Sequence, residues 1–181
     1  MRVNRRSLLI ATGASALAPA AVQAADRAEI DARVDRSLKL LFTIRPETKE
    51  LFANAKGVLV MPNITKAGVF VGGSYGEGAL MIGEAKVAYY SVTAASIGIQ
   101  VGAQIFRQAL FFMTEDALRS FRTSSGWSLG GEVEAAGDGR GVTYESGTNT
   151  FNRPIVSYTW GQDGAMIGAT IEGAKYTRIS R

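Results

Sequence analysis

Two hydrophobic periodicities divide the chain. Over residues 26–42, Ile30, Val34, Leu38 and Leu41 recur at helical spacing with charges on the remaining faces, the pattern of an amphipathic helix. Glu29 with Arg33 and Asp35 with Lys39 add favourable i,i+4 pairs. The polar face mixes acids and bases where an interfacial helix would be rich in Lys and Arg, which favours docking on a core over lying on a membrane. Pro46 suits the first turn of a second short helix running to Asn54. From Gly57 the period changes, and short apolar runs predict strands at 57–61, 67–75, 78–83, 86–92, 95–102 and 108–113. Thr114-Glu115-Asp116-Ala117 has the form of a helix start, and Ala117, Leu118 and Phe121 give that helix an apolar face ending near residues 124–126. Strands at 127–135, 153–160 and 164–176 follow. The loop between the first two has room for a short strand at 142–145, and Gly161-Gln162-Asp163-Gly164 joins the last two as a hairpin.

Glycines fall inside these apolar runs rather than between them: Gly68, Gly72, Gly73, Gly76, Gly78 and Gly83. Glycine weakens a strand interior, so such repetition implies bends or close backbone approach. The expected architecture is α+β, a predominantly antiparallel, strongly curved and barrel-like sheet with N-terminal helices and one inserted helix. Gly72-Gly73-Ser74-Tyr75-Gly76-Glu77-Gly78 has the look of a phosphate loop but lacks a following Gly-Lys-Ser/Thr and the G-x-G-x-x-G spacing. A sharp strand-to-strand turn is expected there, and no nucleotide.

Composition fits one folded domain, 46% hydrophobic and 20% charged. Residues 1–24 are set aside as a signal peptide: Arg2, Arg5 and Arg6 form a basic segment, residues 8–17 an apolar one, and Val22-Gln23-Ala24 a cleavage site. Arg5-Arg6 before Ser7-Leu8-Leu9 resembles a twin-arginine signal, with the general secretory route as the alternative. Residues 25–181 are then a single exported domain, expected in the periplasm. Removing residues 1–24 takes three of the 20 bases and no acid, leaving 17 bases against 16 acids. The basic stripe needed for nucleic acid is missing, and none is expected as a partner. With no Cys and no His, a Cys nucleophile, a Ser-His-Asp triad and a Cys/His zinc site are excluded; no metal or cofactor is expected.

Three side-chain groups bear on function. Glu132 and Glu134 share a strand face, as paired carboxylates do in acid/base catalysis, with Glu77 and Glu84 as looser candidates; paired charges on a solvated strand are the commoner case. Ile105-Phe106-Arg107 falls in a strand connection, where apolar residues beside a base suit shallow insertion among lipid headgroups or folding back on the core. Tyr89 and Tyr90 point to opposite faces, so at most one is a surface aromatic.

Lys56-Gly57-Val58-Leu59-Val60-Met61-Pro62, Lys66-Ala67-Gly68, residues 72–78 and Ser96-Ile97-Gly98-Ile99-Gln100-Val101-Gly102-Ala103-Gln104 resemble the SYLF domain in order and spacing. Ile155-Val156-Ser157-Tyr158 and Gly168-Ala169-Thr170-Ile171-Glu172-Gly173 are similar to its closing hairpin. Members in endocytic proteins bind phosphoinositide membranes and, in some cases, actin; exported bacterial members also occur. The resemblance implies a lipid-binding module rather than an enzyme, with headgroup contacts mapping to Lys56 and Lys66, and Gly72, Gly73, Tyr75, Gly76, Glu77 and Gly78 as a structural motif. A Gly-Trp-Ser-x-Pro segment common in the family is replaced here within residues 80–96, Ile105-Phe106-Arg107 replaces a more polar stretch, and a terminal aromatic tail is missing. The expected function is periplasmic binding of anionic phospholipid at a membrane surface. The alternative is an envelope protein-interaction or structural module with a protein partner.

Overall fold

The computed structural model describes residues 26–128, 133–138, 142–143, 154–161 and 174–181; at 67–71, 96–104, 133–138 and 142–143 the description is of the backbone. The segment expected as a signal peptide, Glu132 and the 161–164 hairpin connection beyond Gly161 lie outside these residues.

Helix α1 (Arg27–Ile44) starts at the Asp26 N-cap, whose carboxylate accepts from the Ala28 N–H at 3.0 Å. It buries Ile30, Val34, Ser37, Leu38 and Leu41, so the stripe expected to dock does dock. Helix α2 (Thr48–Asn54) begins two residues after Pro46, with Glu47 at its N-cap. The strands expected between residues 57 and 113 are only two, β1 (Gly57–Ile82) and β2 (Ala85–Phe112), paired antiparallel from Gly57↔Phe112 to Ile82↔Ala85. Residues that look like strand breaks are absorbed as register shifts at Met61/Ile64, Gly68/Phe70 and Leu80/Met81, because a bulge lets a ladder bend without ending. The turn of this hairpin is Gly83-Glu84, with Gly83 at φ +57°. Residues 72–78 are therefore no turn: they pair with β2 from Gly72↔Ser96 to Gly78↔Tyr90.

Two glycines fold the hairpin over on itself. A Cβ on Gly76 would sit 2.5 Å from the Asn63 carbonyl oxygen, and one on Gly78 would sit 2.1 Å from that of Val60 and 2.7 Å from Met61 Sδ. The two halves of β1 thus cross back to back at a separation only glycine permits. Helix α3 (Glu115–Thr123), capped by Thr114 through the Ala117 N–H, comes next. The strand expected at 127–135 is two: β3 (Trp127–Ser128) and β4 (Val133–Asp138). Strands β5 (Val142–Thr143), β6 (Ile155–Gly161) and β7 (Lys175–Ile179) complete the order β3-β7-β2-β6-β4-β5, with β1 on β2. All pairings are antiparallel except β4 with β6, so the fold is α+β with one strongly curled sheet. Strands β6 and β7 pair with separate stretches of β2, residues 106–112 and 89–93.

Alternation along the strands splits the core in two. Inside the curl lie Leu59, Met61, Ile64, Leu80, Tyr90, Phe106, Leu110, Phe112 and Tyr176, with Leu118 and Phe121 of α3 as the plug. Phe121 stacks against Tyr90, Phe112 and Trp127 at ring separations of 4.6 to 5.4 Å. A polar chain crosses this interior: the Tyr176 hydroxyl donates to Gln108 Oε1, and Gln108 Nε2 donates to Ser157 Oγ at 3.2 Å. On the outer face α1 and α2 cover Val58, Val60, Ala79, Met81, Phe111, Tyr158 and Trp160. At the chain's far end Arg181 pairs with Glu77, which also accepts from the Tyr75 hydroxyl at 2.6 Å.

Gly78→Ala should therefore destabilise by ~1–3 kcal/mol or more, since the new methyl meets backbone that cannot swing aside. Gly73→Ala, whose Cβ would stand 3.7 Å from the Ala94 carbonyl, should be close to neutral; equal urea midpoints for the two variants would refute the crossing. Burial, then the hydrogen bond and charge of Glu77, push the Tyr75 phenol from 10.0 up to about 12. Its folded state binds the proton more tightly, so the associated stability is whole below pH 10 and is lost between pH 10 and about 12. Over that window urea stability should fall less steeply in Tyr75→Phe than in the parent, a residual slope coming from Tyr89, Tyr90 and Tyr176, whose phenols are also raised. Identical slopes would rule the clamp out.

Candidate functional site

Lys56 is exposed and immediately precedes β1, its N–H donating to the Phe112 carbonyl at 2.8 Å. Lys66 is half-buried within β1 opposite Gln104. Ten positions of the chain, including the bulge at Met61/Ile64, separate them, and neither lines the cleft described below. Ile105-Phe106-Arg107 is not a connection but part of β2: Phe106 is buried inside the curl, whereas Ile105 and Arg107 alternate to the outer face. Tyr89 and Tyr90 do face opposite ways, and both are buried. Gly72, Gly73, Gly76 and Gly78 are strand residues, and Tyr75 and Glu77 belong to the Arg181 clamp. Glu84 is exposed in the hairpin turn, and Glu134 pairs through its backbone with Val156. Among the described residues no group of three Asp, Glu, His or Cys could hold a metal.

The structure instead gathers bases beside α1. Arg33, Arg36, Ser37 and Leu40 of α1 face Pro62 and Asn63 of β1 and Arg107 of β2 across a cleft of about 370 Å³. Helical geometry makes the first wall, because positions 33, 36, 37, 40 and 44 fall within about 100° of one another around the axis. The bulge makes the second. Pro62 has no N–H to give the ladder, and the two residues Pro62-Asn63 stand where β2 supplies one, Arg107. Arg33 is ion-paired with Glu29 one turn earlier. Arg107 is half-buried, and burial lowers its guanidinium from the ordinary value. Ser37 is 3% exposed, and its Oγ has no hydrogen-bond partner among the described residues. No carboxylate lines the cleft among the described residues.

Exposed aliphatic side chains lie along the same two elements. Leu40 lines the wall at 39% exposure, Ile44 lies one turn further at 43%, and Ile105, two residues along β2 from Arg107, is 46% exposed. A second cleft of about 510 Å³ on α1's other flank is lined by Arg27, Lys86, Val87, Tyr89, Arg178 and Arg181 among others. Its charges are largely matched: Lys86 meets Asp35 at 2.7 Å, Arg181 pairs with Glu77, and Arg27 donates to the Tyr89 hydroxyl, which donates to Asp31 at 2.8 Å. Sequence reasoning missed both clefts because their bases are scattered from Arg27 to Arg181. The usable signal was the stripe Arg33, Arg36, Leu40, Ile44, which is basic and apolar on a face the core does not need.

Residues 93–180 match the family described as Las17-binding protein actin regulator, Ysc84. That stretch carries Arg107 and the motifs at 96–104 and 155–158, while α1 precedes it. The chain is also similar to Beta cell expansion factor A of Aeromonas veronii, 27% identical over 151 residues, covering 83% of this chain and 56% of that protein. It thus spans about half the length of that curated relative. Residues 93–180, just under half of the chain, thus carry the match to the Ysc84 family, the SYLF domain, with a distant curated relative beside it.

Proposed function

We propose that the protein is a non-enzymatic, peripheral lipid-binding module of the periplasm that contacts anionic phospholipid headgroups through the arginine-bearing flank of α1. The observation that carries this reading is the meeting of exposed aliphatic side chains and a cluster of arginines on one surface. Leu40 lines a cleft with Arg33, Arg36 and Arg107, and the exposed Ile44 and Ile105 follow on the same two elements, α1 and β2. Each base near an anionic surface contributes on the order of 1 kcal/mol. Each aliphatic side chain retains close to half of its surface to bury, worth roughly 1 kcal/mol. The sum is a modest, salt-sensitive affinity. No helix among the described residues is long and apolar enough to cross a membrane, consistent with contact from one side. The family's actin-regulatory description is not carried over, since an exported chain meets no actin, and the effect named for the Aeromonas relative belongs to a longer protein.

Co-sedimentation with phosphatidylglycerol-containing and pure phosphatidylcholine vesicles tests this. Pelleting should favour the anionic vesicles, fall with added salt, and drop about tenfold in Leu40→Asp with Ile105→Asp, two exposed sites at which circular dichroism should show the fold retained. Lys56→Glu with Lys66→Glu, away from the cleft, should weaken it only through the surface potential. Equal pelleting with both vesicle types, or no response to the aspartates, would overturn the reading.

A further inference from the structure

Strand β7 has an open edge in surroundings that are basic throughout. We infer that this edge, over Thr177–Ile179, takes an acidic, extended segment of a protein partner as an added strand, with Arg122, Lys175 and Arg178 facing its carboxylates. The surface is made by β7 and α3, not by the flank of α1 that bears Leu40, and it is independent of the lipid reading.

Strand β3 is two residues long, and its pairing with β7 stops at Trp127↔Tyr176. The chain leaves the ladder there, since Gly126 gives its N–H to Ser124 Oγ at 3.4 Å rather than to β7. On its other side β7 stays paired with β2 as far as Tyr89↔Ile179. Thr177, Arg178 and Ile179 are therefore held in extended form by one neighbour, while no strand among the described residues pairs with their second edge. Main-chain donors and acceptors on such an edge are a template for an incoming extended segment.

Charge selects the segment. Residues 117–128 and 174–181, brought together by β3 and β7, carry the bases Arg119, Arg122, Lys175, Arg178 and Arg181 and no acid, although residues 25–181 as a whole are near neutral. Arg119 pairs with Asp116 and Arg181 with Glu77. Arg122, Lys175 and Arg178 are exposed, and none of the three is ion-paired among the described residues. Burial raises the Tyr90 phenol and the charges of Arg178 and Arg122 draw it back, so one guanidinium from β7 and one from α3 stand near the same hydroxyl. Lys175 alternates to the opposite face, its stem laid over Gly126, where a Cβ would come within 2.3 Å of Cε. Bases thus flank both faces of the edge. Lys and Arg on an edge strand deter chance pairing, and like charges directly opposite destabilise a ladder, which makes a second copy of β7 a poor occupant. A strand bearing Glu or Asp meets attraction where the others meet repulsion, and that difference is the source of selectivity. The cleft of about 510 Å³ lined by Arg178 and Ile179 leaves room at the end of the ladder for a side chain of the added strand.

The peptide acetyl-(Thr-Glu)4-amide, titrated into the isotopically labelled full chain, should bind saturably, shift the amide resonances of residues 176–180 most, and weaken with added salt. Acetyl-(Thr-Lys)4-amide should not bind. Of two Thr-Glu peptides N-methylated at alternate residues, the one lacking the N–H groups that face β7 should bind about tenfold more weakly, its charge being unchanged. Arg122→Gln with Arg178→Gln should also cost about tenfold, whereas Leu40→Asp with Ile105→Asp, which removes the proposed lipid contact, should leave peptide binding as it is. Circular dichroism confirms that each variant is folded. Equal binding of the parent peptide and both N-methylated forms, no saturable shifts, or shifts centred on the α1 flank would overturn strand addition at β7, whatever the vesicle experiment shows.

Discussion

The closest constraint in the structure is the contact of backbone with backbone where Gly76 and Gly78 pass Asn63 and Val60. Twenty-six residues of strand would extend roughly 85 Å if straight, far beyond a domain of this size. Folding β1 across itself turns a long two-stranded ribbon into a curl with an inside and an outside. Side-chain alternation then has two consequences from one sequence. One set of residues meets α3 in the interior, and the other forms the bed on which α1 and α2 lie. Any side chain at the crossing would hold the halves apart and open both cores together.

The same fold-over generates the cleft. Curvature demands that the ladder yield somewhere, and it yields at Pro62-Asn63, where a missing N–H makes regular pairing impossible in any case. The bulge stands off from α1 opposite Arg107, leaving room between helix and sheet at the point where the helix presents Arg33, Arg36 and Ser37. Site and fold therefore share a cause. The charge of the cleft comes from α1 and β2, but its volume comes from the irregularity of β1.

Much of this architecture was legible from residue patterns. The stripe Ile30, Val34, Leu38, Leu41 announced a docked helix, Thr114 a cap, and the embedded glycines a strongly bent sheet. Strand number was not legible, because Gly72-Gly73 and Pro62-Asn63 look like punctuation when only local preference is weighed, whereas a partner strand can carry the ladder through such positions. For the same reason Ile105-Phe106-Arg107 passed for a loop. The arginine cleft was hidden for a different reason: its members lie at positions 33, 36 and 107 and become neighbours only through tertiary packing. Lys56 and Lys66 drew attention by standing in recognisable motifs, a local property that says nothing of whether two charges meet.

How α1 could engage a membrane is decided by what it already buries. Ile30, Val34, Leu38 and Leu41 are at most 6% exposed, and each contributes about 1.5–3 kcal/mol by being so. Detaching the helix to lay its apolar face on lipid would forfeit a sum comparable to the whole stability of an ordinary domain, about 5–15 kcal/mol. A bilayer would have to repay all of it before any net binding appeared. The flank bearing Arg33, Arg36, Leu40 and Ile44 carries no such debt, since it is already turned away from the core. Residues 25–181, near-neutral with 17 bases against 16 acids, also offer little long-range attraction, and screening confines what remains to about 8 Å at physiological salt. On the proposed reading, recognition of an anionic surface is local and made by the docked helix, where its arginines and exposed aliphatic side chains lie on one flank.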